Sequence, residues 1–367
     1  MLRDSAARYL AERHDLAAQR SAIGRVRAVD RAQWSQLAEL GWLGLELPEA
    51  LGGSGMGLNA VALLAEQFGR AAFGAPYIAA SVMPTALLAQ ASDSPLATEL
   101  AAGLQSGETL LTLAWQERAG QFDAEVPATT LVDGRIHGSK CFVPVADSAD
   151  VLLVSVQAGA DLALVAVAAD AAGIRYEHQA GGSGTVSSII FTQTSIIGSA
   201  PLLIGAQAVA AMQSALAAGR VTLAAYLQGL ADGLLDKTLA YVKVRSQFGR
   251  AIASFQTIQH RCVDLYIGVQ LAGASWRHAL KQIESGAEGE AAIAAAVCAA
   301  KARCADVARQ VGRESVQMHG AIGFTAEVDV GVYLRAALHG YGWLGAPVQH
   351  RRQLLQLAAP QLESFHV

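Results

Sequence analysis

Residues 241–265 read YVKVRSQFGRAIASFQTIQHRCVDL, and this stretch decides how the rest of the chain is interpreted. Its apolar residues follow a helical period that is broken once, at Gly249. The side chains suited to a ligand flank this break: Arg245, Gln247, Phe248, Phe255 and Gln256. A guanidinium and amide groups pair with phosphate, and an aromatic face packs on a planar ring. The stretch therefore predicts a grip on a flat, phosphorylated ligand between two helices.

Composition limits the class of protein and its partners. The chain has 367 residues, of which 53% are hydrophobic and 16% charged, and its mean hydropathy is +0.32. A chain this apolar exposes hydrophobic surface unless it oligomerises. We therefore expect subunit interfaces. The net charge of −4 and the lack of a basic patch interleaved with aromatic residues exclude nucleic acid as an expected partner.

The sequence also bears on location and metal binding. The charged N-terminal residues lack the apolar core of a signal peptide. Leu202–Gly219 is uncharged and nearly long enough to span a membrane, but Gln207 and Gln213 interrupt it, which favours a buried helix. The four cysteines are scattered, as expected of thiols in a reducing cytoplasm. Histidines and carboxylates show no ligand spacing, so no metal site is predicted.

The pattern of hydrophobic residues changes twice along the chain. Residues 1–107 are helical in pattern, residues 108–200 contain short β-branched runs, and residues 201–367 return to a helical period. Asp133-Gly134 marks a hairpin turn within the β region. Four long helical segments are predicted after it: Ile204–Ser246, Ser254–Glu284, Glu290–His319 and Asp329–Leu357. The predicted fold class is α+β multidomain, with an N-terminal helical domain, a central antiparallel β domain and a C-terminal four-helix bundle.

A glycine-rich stretch, Leu51–Gly57, lies between two helical segments. A nucleotide-binding loop would place such glycines between a strand and a helix. Because helices flank this stretch on both sides, we interpret it as a loop that needs positive φ angles.

Five segments, in order, resemble the acyl-CoA dehydrogenase family. They are Gly41–Gly55 (G-x-x-G-L-x-x-P-E-x-x-G-G-x-G), Glu66–Arg70 (E-x-x-G-R), the hairpin Val132–Lys140, Arg245–Gly249 with Phe255-Gln256 (R-x-x-F-G, then F-Q), and Gln317–Phe324 (Q-x-x-G-G-x-G-aromatic in the family). One such match is modest evidence, but five in the family's order make chance resemblance improbable. The resemblance covers essentially the whole chain.

The resemblance implies FAD as cofactor, an acyl-CoA thioester as substrate and a tetrameric assembly with FAD at a subunit interface. The residues carried over as FAD contacts are Arg245, Gln247, Phe248, Gln256, Gln317, Gly320 and Ala321. An electron-transfer flavoprotein is the implied acceptor. Arg220, a lone charge in an apolar helix, is a substrate-contact candidate, and a structural salt bridge is about as good an interpretation.

The chain departs from the family at both positions of its catalytic base. The family's reaction needs a glutamate that removes the α-proton. Counting from Arg335 places Leu344 at the usual glutamate position, and Gly219 occupies the alternative position before Arg220. Neither side chain can accept a proton, so no catalytic residue is assigned.

Residues at the flavin edge also differ from the family. Gln116 replaces a threonine, and Pro144 replaces a residue whose hydroxyl and main-chain N–H would reach the flavin. Phe142 keeps an aromatic ring for packing.

The residues that match the family would contact the distal half of the cofactor, whereas the residues that differ would lie near its reactive ring. This pattern leads to one working hypothesis. The chain is the base-lacking subunit of a heteromeric α2β2 acyl-CoA dehydrogenase that acts in fatty acid or steroid side-chain degradation. A flavin-free binding or scaffold protein and a self-tetrameric dehydrogenase with a displaced base, for which Glu314 and Glu327 are candidates, stay open. The sequence does not define the acyl group.

Overall fold

The computed structural model describes residues 1–21, 29–180, 185–287 and 289–363. Within these ranges six α-helices come first: α1 (Leu2–Arg13), α2 (Leu16–Ser21), α3 (Arg31–Glu39), α4 (Gly57–Arg70), α5 (Met83–Leu88) and α6 (Pro95–Ser106). Eight strands follow in the described part of the chain: β1 (Leu111–Ala114), β2 (Thr130–Val132), β3 (Arg135–Pro144), β4 (Val151–Ala158), β5 (Asp161–Ala168), β6 (Ile174–Ala180), β7 (Thr185–Ser195) and β8 (Leu203–Ile204). The chain continues with α7 (Ala206–Val244), β9 (Ser246–Gln247), β10 (Arg250–Ala251), α8 (Gln256–Ser285), α9 (Gly289–His319), α10 (Val330–Gly342) and α11 (Pro347–Glu363). The order of helices, sheet and helices is the predicted one.

The chain divides into two compact units. One unit contains Met1–Ile23, Ala62–Gly74 and Arg220–Val367, and the other contains Gly24–Val61 and Ala75–Gly219. These units do not follow the boundaries proposed at residues 107 and 200. The division into domains 1–107, 108–200 and 201–367 therefore stays a prediction.

The second unit is built around an eight-stranded sheet with the order β6-β7-β3-β2-β4-β5-β8, in which β1 also pairs with β4. The sheet is mixed rather than antiparallel, because β1 and β2 both pair parallel with β4. A pattern of short strands predicts a sheet but does not predict whether neighbouring strands run parallel or antiparallel. The segment that contains the β2–β3 hairpin forms the long connection that a parallel β1–β4 pair requires.

Two turns of the second unit agree with their predictions. Asp133 and Gly134 have φ angles of 48° and 70° and join β2 to β3, with Val132 opposite Arg135. In the glycine-rich loop Gly52 has φ of 76°, and a Cβ at Gly53 would lie 2.1 Å from the oxygen of Leu47. These glycines close the loop upon itself, which is a structural role.

The first unit contains the helical bundle. Three of the four long helices appear as predicted, within a few residues at their ends, as α7, α8 and α9. The fourth is wrong as a single helix, because it is split into α10 and α11. Leu344 and Gly345 have φ angles of 57° and 105°, and Pro347 lacks the N–H that a continuous helix would use.

Helices α4 and α7 approach each other backbone to backbone. A Cβ added at Gly69 would lie 2.0 Å from the oxygen of Tyr226, and one at Gly229 would lie 2.0 Å from the oxygen of Glu66. The glycine of the Glu66–Arg70 motif is therefore required by packing. Glu66 also accepts hydrogen bonds from Arg3 at 2.7 Å and from Arg277 at 2.6 Å.

Helix α7 is the one helix within the described ranges that is long and apolar enough to cross a membrane. However, 72% of its most apolar window is buried inside the protein. That burial agrees with the prediction of a buried helix.

Candidate functional site

The segment between α7 and α8 forms a compact, exposed projection. After Val244 the chain makes the β9–β10 hairpin, in which Arg250 pairs with Gln247, and Ile252 N donates to Arg245 O at 2.8 Å. Phe248 and Gly249 form the hairpin turn with φ angles of 54° and 78°. A bulky residue seldom adopts such a φ angle, so this turn holds Phe248 in an uncommon conformation.

The aromatic side chains of this segment lie on its surface. Phe248 is 91% exposed, and its ring lies edge-on to Phe255 with 6.1 Å between centroids. The guanidinium of Arg250 lies 4.1 Å from the centroid of the Phe255 ring. A cation over an aromatic ring and a free aromatic face offer both charge and stacking to a planar anionic ligand.

The second predicted segment lies beside the first. The Tyr241 ring near the end of α7 stacks on His319 at the end of α9 with 4.1 Å between centroids, and its hydroxyl donates to His319 O at 3.3 Å. At the start of α8, Cys262 Sγ lies 3.9 Å from Met318 Sδ. The ends of α7 and α9 and the start of α8 therefore meet. The seven residues carried over as FAD contacts are all exposed: Arg245, Gln247, Phe248, Gln256, Gln317, Gly320 and Ala321.

These residues fit the phosphate and adenine end of a dinucleotide. Arg245 offers a guanidinium, and the glutamines offer amide donors. A Cβ built at Gly249 or Gly320 would meet no atom within 4 Å, so the main chain is open to a ligand at both places.

The position predicted for the family's catalytic glutamate lies in a buried turn. Leu344 lies between α10 and α11 with 4% exposure and φ of 57°. Its main-chain oxygen accepts hydrogen bonds from Arg220 Nε at 3.3 Å and His350 Nε2 at 3.2 Å. Gly219 lies within α7. Arg220 thus binds the main chain here, and its role in substrate binding stays a prediction.

The two carboxylates proposed as displaced bases lie in different surroundings. Glu314 forms an ion pair with Arg261 at 3.5 Å, and its Oε2 atom is buried without a hydrogen bond. Glu327 is exposed and therefore lacks the dry surroundings that a base of this type needs.

Residues of the predicted flavin edge lie in the second unit. Phe142 is 48% exposed with φ of 55°, so its ring stays available for stacking. Pro144 lies in β3, and its oxygen accepts from Thr112 Oγ1 at 2.8 Å. The main-chain oxygen of Gln116 accepts a hydrogen bond from Cys141 N at 2.8 Å. Its side-chain Nε2 donates to Gln121 O at 3.1 Å. The side chain of Gln116 therefore organises its own loop.

Glu117, next to Gln116, has a structural role. Its carboxylate accepts from Lys140 Nζ at 2.9 Å, from Thr129 Oγ1 at 2.6 Å and from Ala128 N at 2.7 Å. Burial works against ionisation, but the hydrogen bonds from Thr129 and Lys140 prevail and lower the pKa of Glu117 to about 2. Burial lowers the pKa of Lys140 to about 8, with Glu117 opposing the shift. The pair is ionised at neutral pH and fixes the chain between β1 and β3.

Two buried titratable residues, Glu46 and Lys301, were not predicted from the sequence. Glu46 lies among the apolar residues of the first loop, its Oε2 atom is buried without a hydrogen bond, and burial raises its pKa to about 7. Its only signal in the sequence is a carboxylate between Leu45 and Leu47. Lys301 is fully buried in α9, and its signal is a lysine within an alanine-rich helix.

Among the residues that the structure describes, no group of three or more His, Cys, Asp or Glu side chains is arranged to hold a metal ion.

Comparison with known proteins agrees with this architecture. The family model for the acyl-CoA dehydrogenase N-terminal domain matches residues 1–108, and the model for the C-terminal domain matches residues 209–356. The chain belongs to the acyl-CoA dehydrogenase family. FAD is the cofactor of this family.

Individual relatives cover most of the chain. Acyl-CoA dehydrogenase FadE28 of Mycobacterium tuberculosis is 32% identical over 234 residues, which are 64% of this chain and 66% of FadE28. The solved Tcur3481-Tcur3483 steroid ACAD is 27% identical with a TM-score of 0.86, covering 99% of this chain and 98% of its own. The ChsE4-ChsE5 complex from Mycobacterium tuberculosis is 23% identical with a TM-score of 0.85, covering 98% of this chain and 96% of its own. At this identity the similarity supports the fold alone.

Proposed function

We propose that this chain is the base-lacking subunit of a heteromeric acyl-CoA dehydrogenase that performs FAD-dependent α,β-dehydrogenation of an acyl-CoA thioester. The observation that carries the proposal is Leu344. It stands at the position of the base, buried in a well-anchored turn, and its side chain cannot accept a proton. Gly219, at the alternative position, offers no side chain at all.

The proposed roles of the two subunits follow from the cofactor-binding residues that this chain contains and the base that it lacks. When bound, FAD supplies an acceptor for the hydride that leaves the β-carbon. In this chain Arg245 and Gln247 would hold the phosphates, and Phe248 would pack on the adenine end. The partner subunit would supply the carboxylate that removes the α-proton.

The exposure of the cofactor segment supports an interface role. Phe248 at 91% exposure and Phe324 at 83% are large apolar side chains next to charged and amide groups. A neighbouring subunit that brought its flavin to this surface would cover both rings. We propose a paralogous subunit in an α2β2 assembly as that neighbour, and a self-tetramer is the alternative.

The substrate class is proposed from the comparisons. The Tcur3481-Tcur3483 relative is a steroid ACAD, which favours a bulky CoA ester, including a steroid side-chain thioester, over a short fatty acyl group. An electron-transfer flavoprotein is the proposed acceptor and the cytoplasm the proposed location.

The decisive experiment compares the chain alone with the chain coexpressed with an adjacently encoded paralogue. We expect turnover of acyl-CoA with FAD and an artificial electron acceptor only for the coexpressed complex, with fewer than one flavin per subunit. Robust turnover by the isolated chain would overturn the proposal. Purification of a colourless complex without flavin would instead favour a non-enzymatic relative.

A second candidate is a self-tetramer with a displaced base. Turnover by the isolated, flavin-loaded chain without a paralogue would support this candidate.

A further inference from the structure

The turn between α10 and α11 is held by buried donors from three different helices. Lys301 comes from α9, Arg220 from α7 and His350 from α11. Arg220 and His350 both bind the oxygen of Leu344. The proposed function leaves this anchoring unexplained, since a turn without a catalytic side chain has no need of so fixed a main chain.

Lys301 makes the largest number of these contacts. Its Nζ donates to Gly340 O at 2.9 Å, to Gly345 O at 3.0 Å and to Tyr341 O at 3.4 Å. The side chain is fully buried. Gly340 and Tyr341 are in the last turn of α10, where carbonyl groups lack helical partners and carry the negative end of the helix dipole. Lys301 therefore acts as a side-chain cap from another helix.

The number of donors on Lys301 depends on its protonation. An ammonium group has three N–H donors, which matches the three carbonyl groups in contact. A neutral amine has two N–H donors and one lone pair, and the lone pair faces oxygen atoms unfavourably. Loss of one proton therefore removes at least one anchor from the turn.

Three neighbouring groups, Arg220, His350 and Cys304, do not change charge near neutral pH. Arg220 stays charged. Burial, with Lys301 and Arg220 adding to it, lowers the pKa of His350 to about 2, and burial also lowers the pKa of His339. Burial raises the pKa of Cys304 to about 12.

Lys301 is different from these neighbours. Burial, followed by repulsion from Arg220, lowers its pKa to about 7, although Cys304 and Asp306 act in the opposite direction. Asp306 forms its own ion pair with Arg351. Burial and Arg220 thus bring the pKa of Lys301 towards the physiological range, whereas its three carbonyl partners favour the charged form.

We infer that Lys301 is the positioning residue of the Gly340–Gly345 turn, and that gain or loss of its proton changes the number of main-chain carbonyl groups that hold this turn. The turn is tight when Lys301 is charged and looser when it is neutral. The meaning of this change for the acyl site, through Leu344, rests on the proposed function, but the anchoring itself does not.

Hydrogen exchange of the full-length chain tests the inference. Exchange of peptides that cover residues 341–346 is measured at pH 6 and pH 8.5 and corrected for the intrinsic rate of exchange. Loss of one hydrogen bond of about 1 kcal/mol predicts that protection falls about fivefold at the higher pH. In Lys301→Met we expect low protection at both pH values.

Two further variants separate this effect from general destabilisation. Lys281→Met, which removes an exposed lysine of α8, should keep the wild-type pH dependence. Lys301→Arg retains a permanent charge and should lose the pH dependence. An unchanged wild-type protection between the two pH values, corrected for intrinsic exchange, would overturn the inference even if neither Lys301 variant folded.

This measurement needs no flavin, substrate or partner subunit. Its failure would leave the proposed enzymatic role untouched, and failure of the enzymatic role would leave the measured anchoring in place.

Discussion

The Nε atom of Arg220 lies 3.3 Å from the main-chain oxygen of Leu344 and donates a hydrogen bond to it. A left-handed conformation costs a residue such as leucine about 1–2 kcal/mol, so a φ of 57° persists only where the surroundings enforce it. Arg220 and His350 supply that enforcement by holding the same oxygen. The main chain at Leu344 is therefore fixed, and the leucine side chain carries no group that can accept a proton.

This relationship predicts a gain of activity in Leu344→Glu. The fixed turn would present a carboxylate where the family has its base, and general base catalysis contributes about 10²–10⁴-fold. We expect turnover of an acyl-CoA by the flavin-loaded variant above the wild-type background by a factor in that range. Leu338→Glu, at a half-exposed position of α10, is the control and should gain nothing. A folded, flavin-loaded Leu344→Glu variant without activity would contradict the assignment of this position.

Arg245→Ala should weaken FAD binding without affecting the fold. A hydrogen bond to a charged group contributes about 1.5–3 kcal/mol, which corresponds to an affinity lower by roughly ten- to a hundredfold. Because Arg245 is exposed, the free energy of unfolding of the variant should stay within about 0.5 kcal/mol of the wild-type value. Flavin content and flavin fluorescence titration of the assembled protein measure the change. Arg352→Ala, an exposed arginine of α11, should bind FAD as the wild type does.

The stability of the chain should fall as pH rises from about 4.5 to about 7 because of Glu46. Below pH 4.5 the carboxyl is protonated in both states. Between the two values the unfolded state ionises, whereas the folded state keeps the proton, because burial raises the folded pKa from 4.5 to about 7. The loss amounts to about 3 kcal/mol.

Urea unfolding at pH 5 and pH 8 measures this contribution. Glu46→Gln cannot ionise and should remove the loss, whereas Glu49→Gln, an exposed position of the same loop, should retain it. An identical pH dependence in wild type and Glu46→Gln would show that Glu46 is not responsible.

Gly229→Ala should destabilise the bundle. The added methyl group would lie 2.0 Å from the main-chain oxygen of Glu66, which cannot move away as a side chain can. Overpacking of this kind costs about 1–3 kcal/mol. Gly331→Ala is the matched control, because a Cβ there meets no atom within 4 Å, and alanine favours a helix by up to about 1 kcal/mol. Denaturant unfolding should therefore move the two midpoints in opposite directions, and equal midpoints would rule out the close contact of α4 with α7.

The parts of the fold that were predicted correctly depend on local physics. Helical periodicity located α7, α8 and α9, and Asp133-Gly134 located a hairpin, because each signal lies within a few consecutive residues. The direction of β1 and β2 relative to β4 and the break before α11 were not predicted. Strand direction depends on partners distant in sequence, and Leu344 adopts a positive φ angle that no property of leucine favours.

By itself, the sequence determined the order of helices, strands and helices and the motifs that indicate the family, and it places no carboxylate at positions 344 and 219. It could do so because periodicity and residue chemistry are properties of neighbouring residues. Only the tertiary structure decided that Lys301 is a buried cap of another helix and that burial raises the pKa of Glu46 to about 7. Burial by distant segments shifts the pKa of both side chains, and a chain brings these segments together only when it folds.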